Sequence, residues 1–235
     1  MIKIDHVTKF FGSKKALDDL CLEVPKGSIY GLMGLNGAGK TTIISHLADV
    51  FRQDAGTITI DGEEVADNEE LKKRICIIPD ELYFFNGYSL REMGKYFSKI
   101  YPKWNEVRFQ DMTKSFGLEM NSNLNKFSKG MKKQASFALS MAAMPDYLIL
   151  DEPVDGLDPI VRHKLWKYIM EDVADREMTV LVSSHNAKEM EDACNYYGIM
   201  KDGHMEAEGD LLEIGDMTLE ELFIKTLSDE EGGEF

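Results

Sequence analysis

Gly34-Leu35-Asn36-Gly37-Ala38-Gly39-Lys40-Thr41 is the stretch on which the fold turns. It fits the phosphate-loop pattern G-x-x-x-x-G-K-[ST]. Its glycines let backbone N–H groups converge on an anion, and a following helix adds the positive end of its dipole. In such a loop Lys40 reaches β- and γ-phosphates, the Thr41 hydroxyl ligates Mg²⁺, and Asn36, Gly37, Ala38, Gly39 and Thr42 complete the cradle. The flanks agree: SIYGLM is an apolar run of buried-strand length, and TTIISHLADV has helical periodicity. A plain glycine turn capping a helix leaves that context unused.

A second element lies far downstream. Tyr147-Leu148-Ile149-Leu150-Asp151-Glu152 is four apolar residues ending in two carboxylates, a buried strand that delivers acid at its end. Alone this pattern is common. Beside a phosphate loop it assigns Asp151 to Mg²⁺ through water and Glu152 to the attacking water as general base.

Between and around these elements the texture changes twice. IKIDHV and LDDLCLEV alternate as half-buried strands do, Pro25-Lys26-Gly27 is a turn, and TITIDGEEV is a strand entering an Asp-Gly turn. From about Leu90 to Met144 the chain is rich in Met, Phe, Lys and Ser at helical spacing. From Tyr147 the α/β rhythm resumes, with strands at YLILD, MTVLVSS and YYGIM and helices at PIVRHKLWKYIMEDVA and NAKEMEDAC. Lys201-Asp202-Gly203-His204 makes a hairpin turn. Leu219, Leu222, Phe223 and Leu227 mark a short amphipathic helix whose apolar face is expected to pack on the protein.

The remaining motifs occur in the order found in the ABC ATPase family, which this sequence resembles over essentially its whole length. Phe127-Ser128-Lys129-Gly130-Met131 is similar to that family's LSGGQ signature, with Lys129 in place of a glycine and Met131 in place of glutamine. The resemblance implies that Ser128, Lys129 and Gly130 cradle the γ-phosphate of a nucleotide held by an opposite subunit; the bare alternative is an ordinary helix cap. Pro153-Val154-Asp155-Gly156-Leu157-Asp158-Pro159 resembles the D-loop, in which Asp158 couples two composite sites, and the same residue reads as an N-cap before Pro159. Ser183-Ser184-His185 resembles the strand end carrying the switch histidine, so His185 is expected at the γ-phosphate. Adjacent Ser and His do not have the geometry of a hydrolase triad.

Two further positions are read from their place in the chain. Phe11 sits where the family places an aromatic on adenine; Phe10 competes for the role, and a core aromatic is the plain alternative. Asp80 falls at a glutamine position, which implies an indirect contact with Mg²⁺ and the attacking water. Glu81 to Tyr88 (ELYFFNGY) is strongly aromatic for a loop and reads either as the groove receiving a permease helix or as subdomain packing.

The fold implied is α/β: an ABC-type P-loop NTPase core with an N-terminal antiparallel β-subdomain and an inserted helical subdomain. The core spans 1–89 and 145–215, the helical signature subdomain 90–144, and a C-terminal helix with an acidic tail 216–235. The function implied is that of an ATP-hydrolysing subunit energising export through a separate transmembrane permease, with ATP and Mg²⁺ as ligands and a second ATPase subunit, identical or related, as partner. The S-K-G-M form most resembles ATPases of bacterial drug or antibiotic exporters. A ribosome- or DNA-acting ATPase and a regulatory subunit with little turnover are the alternatives.

Composition narrows the field further. A net charge of −15 argues against binding a nucleic-acid backbone or adsorbing directly to an anionic leaflet. No apolar run approaches the roughly 20 residues of a spanning helix, and MIKIDHVTKF lacks the apolar core of a signal peptide. The expected location is the cytoplasm, at the inner face of the membrane through the permease. Cys21, Cys76 and Cys194 show neither metal-ligand nor disulfide spacing and are expected as small apolar residues.

Overall fold

The computed structural model describes residues 1–228; the rest of the acidic tail lies outside the described residues. The chain forms two compact units, one built from 1–68 with 179–228, the other from 69–178. Among the described residues no helix is long and apolar enough to cross a membrane.

The first unit opens with strands β1 (Ile2–Phe11) and β2 (Lys14–Val24), then β3 (Ile29–Gly34), helix α1 (Lys40–Leu47), β4 (Ala55–Ile60) and β5 (Glu63–Glu64). The second holds α2 (Glu69–Lys72), β6 (Ile75–Ile78), α3 (Leu90–Ile100), α4 (Glu106–Ser115), α5 (Lys129–Ala142), β7 (Tyr147–Asp151) and α6 (Pro159–Arg176). The first unit is completed by β8 (Thr179–Ser184), α7 (Ala187–Ala193), β9 (Tyr196–Lys201), β10 (His204–Asp210) and α8 (Leu219–Ser228).

Within the first unit, β2-β1-β4-β5 is an antiparallel sheet. Ile2, Ile4 and Val7 of β1 and Leu20, Leu22 and Val24 of β2 are buried, as period-two alternation demands. The parity of β1 changes between Ile4 and Val7. There His6 takes φ 52° and the register with β2 shifts, so a bulge carries Val7 back to the core face. The same alternation turns Cys21 outward, which corrects its expected burial. Cys76 is buried, and burial pushes its thiol up to about 12.

The other sheet of this unit pairs β3 in parallel with β8 on one side and β9 on the other, with β10 antiparallel to β9. Strands β3 and β8 are buried at every residue, which explains their unbroken apolar sequences. Helix α8 buries Leu219 and half-buries Leu222, Phe223 and Leu227, and the Leu219 N–H donates to Glu191 on α7 at 3.0 Å. The amphipathic stripe is a packing face.

In the second unit, β6 and β7 run parallel with Ile78 opposite Leu150. The segment 90–144 contributes α3, α4 and α5 to this unit, which also contains the two strands and α6. Ser89 closes a capping box on Glu92 at the start of α3. Asp172 on α6, with a side chain only 5 % exposed, accepts from Arg108 of α4 and Arg176 of its own helix, each at 2.7 Å. That triad, its acid buried and its two arginines half-buried, fixes α4 against α6.

Candidate nucleotide-binding site

Strand β3 ends at Gly34, where a Cβ would stand 2.6 Å from the Met200 carbonyl; only glycine lets the loop leave the sheet there. The loop closes through Ala38 N–H to Leu35 O at 3.1 Å and reaches α1 through Gly39 at φ 113°. The first i→i−4 bond of the helix runs from Ile43 to Gly39, so Lys40, Thr41 and Thr42 form its first turn, the positive end of its dipole. Lys40 is buried, and its Nζ folds back to donate to Gly34 O at 2.6 Å and Leu35 O at 3.3 Å. The ammonium thus lies across the concave face of the loop. Asn36, Gly37 and Thr41 are exposed, and a Cβ at Gly37 would meet nothing within 4 Å, so the mouth of the cradle is open to an anion.

His185 follows the last residue of β8, and Ser184 there is opposite Met33 of β3. The phosphate loop and His185 therefore leave neighbouring parallel strands at their carboxyl ends, the edge where ligands bind open α/β sheets. Ser183 and Ser184 are buried, and Ser184 Oγ accepts from Asn186 N–H at 3.1 Å. Both serines are structural, which disposes of the triad reading.

Phe11, at the end of β1, is 41 % exposed and packs edge-on against Phe51 with centroids 5.0 Å apart. Phe10 is 43 % exposed, with the Lys15 ammonium 5.5 Å from its ring centroid. Neither is a core aromatic. Both leave ring surface for a flat ligand.

The second unit gathers the other predicted residues around the start of α5. Asp151 ends β7 with its residue buried, and Glu152 follows at φ 46°, a left-handed backbone unusual for a side chain of this kind. Asp80 lies two residues beyond β6, at the same carboxyl edge of the β6–β7 pair. Ser128 is the N-cap of α5, its hydroxyl oxygen accepting from Met131 N–H at 3.2 Å. The hydroxyl hydrogen is left as a donor. Gly130 sits in the first turn beside Leu157 and Gly156 of the D-loop segment. Asp158 caps α6, accepting from Ile160 and Val161 at 3.1 and 3.0 Å, with Pro159 at the first helical position.

Lys129 does not stand alone. Its ammonium lies 3.8 Å from both Asp80 and Asp155. Asp80 is also 3.2 Å from the ammonium of Lys133, whose side chain is 2 % exposed. Lys133 escaped the reading of the sequence because G-M-K-K looks like a solvated helix start. Its spacing of four from Lys129 placed it on the same helix face, the one available signal.

Within the first unit Thr41 offers an exposed hydroxyl beside the phosphate loop, and within the second Asp151 offers a buried carboxylate at a strand end; each is a hard oxygen donor of the kind Mg²⁺ takes. The cradle, its internal lysine and a histidine on the adjacent strand define a nucleoside-triphosphate-binding protein. Comparison with known proteins agrees. Residues 17–155 match the ABC transporter family. The chain is 32 % identical to ABC transporter ATP-binding protein YtrB of Bacillus subtilis, covering 91 % of this chain and 73 % of that protein. It is 33 % identical to lantibiotic transport ATP-binding protein SrtF of Streptococcus pyogenes, over 95 % and 96 %. A solved structure described as an ATP binding subunit of an ABC transporter superposes with a TM-score of 0.89 at 26 % identity, over 97 % of this chain and 99 % of that one. The chain belongs to the ABC transporter family as one of its ATPase subunits.

Proposed function

We propose that this chain is the ATP-hydrolysing motor of an exporter whose permease is a separate polypeptide. One observation carries the motor reading: the phosphate loop and His185 leave adjacent parallel strands at the same edge, with Lys40 folded over the loop. A γ-phosphate held by the loop amides and Lys40 is then within the reach of a histidine that registers its presence. The relation to a lantibiotic transport protein supports an antibiotic-like cargo and export.

In the proposed reaction Thr41 and, through water, Asp151 would hold Mg²⁺, which would supply charge neutralisation at the phosphates. Lys40 and the amides from Asn36 to Thr42 hold the triphosphate, and Phe11 stacks on adenine. Glu152 takes the proton from the attacking water. Asp80 acts indirectly, since its carboxylate is engaged by Lys129 and Lys133. Ser128, Lys129 and Gly130 address the nucleotide of a second ATPase subunit, and Asp158 couples the two sites. Gain of γ-phosphate contacts in the closed dimer is the differential affinity that drives the permease.

The permease is proposed to dock on the aromatic loop after β6. Tyr83 is 84 % exposed, while Phe85 is anchored on Tyr96 at 4.9 Å and on Tyr88 at 5.2 Å, so the loop offers rings on a packed base. The test of the motor reading is Glu152→Gln, assayed for ATP binding, turnover and mass with and without Mg-ATP. Intact binding, turnover reduced to near background and an ATP-dependent dimer are expected. Normal turnover would sink the base assignment, and a persistent monomer with ATP bound would assign the second site to a different subunit.

A further inference from the structure

Helix α5 hides a cation that none of the roles above uses. Lys133 has a side chain 2 % exposed, and its Nζ donates to Asp80 Oδ1 at 3.2 Å and to the backbone carbonyl of Glu152 at 2.7 Å. A buried ammonium is tolerated only where a counter-charge and good acceptors replace water, and here one carboxylate and one carbonyl do so. The carbonyl belongs to the residue in a left-handed conformation, φ 46°. An L residue stays in that region only when its surroundings over-determine it. The second hold on the same carbonyl is the Asp155 N–H at 3.4 Å, a long bond, so the lysine is the stronger restraint.

We infer that Lys133 is a positioning residue for hydrolysis, fixing the Glu152 main chain while pairing Asp80 on the loop after β6. The two contacts come from one ammonium. Movement of Asp80 therefore changes the charge balance of the group that holds the general base. The pair is also matched: an acid at position 80 needs a cation, and α5 supplies it from inside the unit while Lys129 adds a weaker, exposed contact at 3.8 Å. Lys133 touches no reacting atom. Its effect on the reaction runs through where Glu152 is held.

This inference rests on Glu152 acting as base, so the experiment measures both. Steady-state ATPase kinetics are compared for the wild type, Glu152→Gln, Lys133→Met, Lys133→Gln, and Lys133→Gln combined with Asp80→Asn. Lys133→Met removes both hydrogen bonds and is expected to lower kcat roughly 10- to 100-fold with KM for ATP within about twofold, the signature of a displaced catalytic group. Lys133→Gln keeps one donor for the Glu152 carbonyl and should lose less. Adding Asp80→Asn should recover part of that loss in kcat by neutralising the acid that position 133 no longer pairs and that keeps only its weaker contact with Lys129. If Lys133→Met does not fold, Lys133→Gln and its pair carry the test. A kcat within twofold of wild type in folded Lys133→Met, alongside an inactive Glu152→Gln, overturns the inference alone. Parallel loss of kcat and melting temperature with no recovery in the pair also overturns it. Full turnover in Glu152→Gln overturns the base assignment beneath it.

Discussion

Gly130 offers the sharpest separation of fold from function. In most tight sites a glycine is there because its own chain leaves no room for a side chain. At Gly130 the nearest atoms to an added Cβ are Leu157 Cδ2 at 3.6 Å and the Gly156 carbonyl at 4.0 Å, ordinary contact distances. The position lies in the first turn of α5, where alanine is favoured over glycine by up to about 1 kcal/mol. Gly130→Ala should therefore leave folding intact and raise the melting temperature by roughly 1–3 °C, at about 2–4 °C per kcal/mol for a chain of this size. If the Gly130 backbone must approach a phosphate held by a second subunit, the methyl blocks it. Turnover should then fall about 100-fold, on the scale of losing one preorganised donor. The assay is thermal melting beside ATPase activity, with ATP-dependent dimer mass measured in the Glu152→Gln background. A stable variant with undiminished turnover would refute the cradle, and a melting temperature several degrees lower would refute the packing argument.

Other outcomes follow from the same contacts. Asp172→Ala removes the buried acid that the half-buried Arg108 and Arg176 share and should destabilise the second unit by about 1.5–3 kcal/mol, read as an earlier thermal transition. Asp146 is pushed up by burial, but the hydrogen bonds and charges of Lys103 and Arg74 outweigh this and hold it below its ordinary 3.8. Its contribution to stability is present above about pH 4 and is lost as pH falls through the lower folded value, so Asp146→Asn should flatten stability against pH below 4 in acid titrations followed by circular dichroism. Phe11→Ala should weaken ATP binding by several-fold in fluorescence titration while Phe10→Ala does not; the reverse result would move the adenine to Phe10.

Strands β3, β7 and β8 were legible because burial on both faces writes an unbroken apolar run, and the phosphate loop because its glycines sit at fixed offsets. The start of α5 and the cap at Asp158 were legible from local chemistry alone. The bulge at His6 was not, since an extra residue leaves only a skipped beat between Ile4 and Val7. Cys21 was misplaced by residue type although its neighbours Leu20 and Leu22 gave its face. Lys133 was hidden for a deeper reason: a buried charge is chosen by its partners, and Asp80 and the Glu152 carbonyl are distant in sequence. The left-handed turn of Glu152 has no signature in residue type.

Strand β3, which ends in the phosphate loop, has as its sheet neighbours in the first unit β8 and β9, and both are synthesised more than a hundred residues later. On a ribosome the contiguous stretch Glu69–Met178 is complete before either of them exists. The loop motif is thus among the first things translated and among the last to be given a scaffold, because distant strand pairing waits on chain closure. A chain halted before Thr179 would carry every residue of the motif without either of the strands that flank it. Nucleotide competence is in this sense a late checkpoint of synthesis, and a folding chain exposed to ATP would be stabilised by it only after β9 has joined.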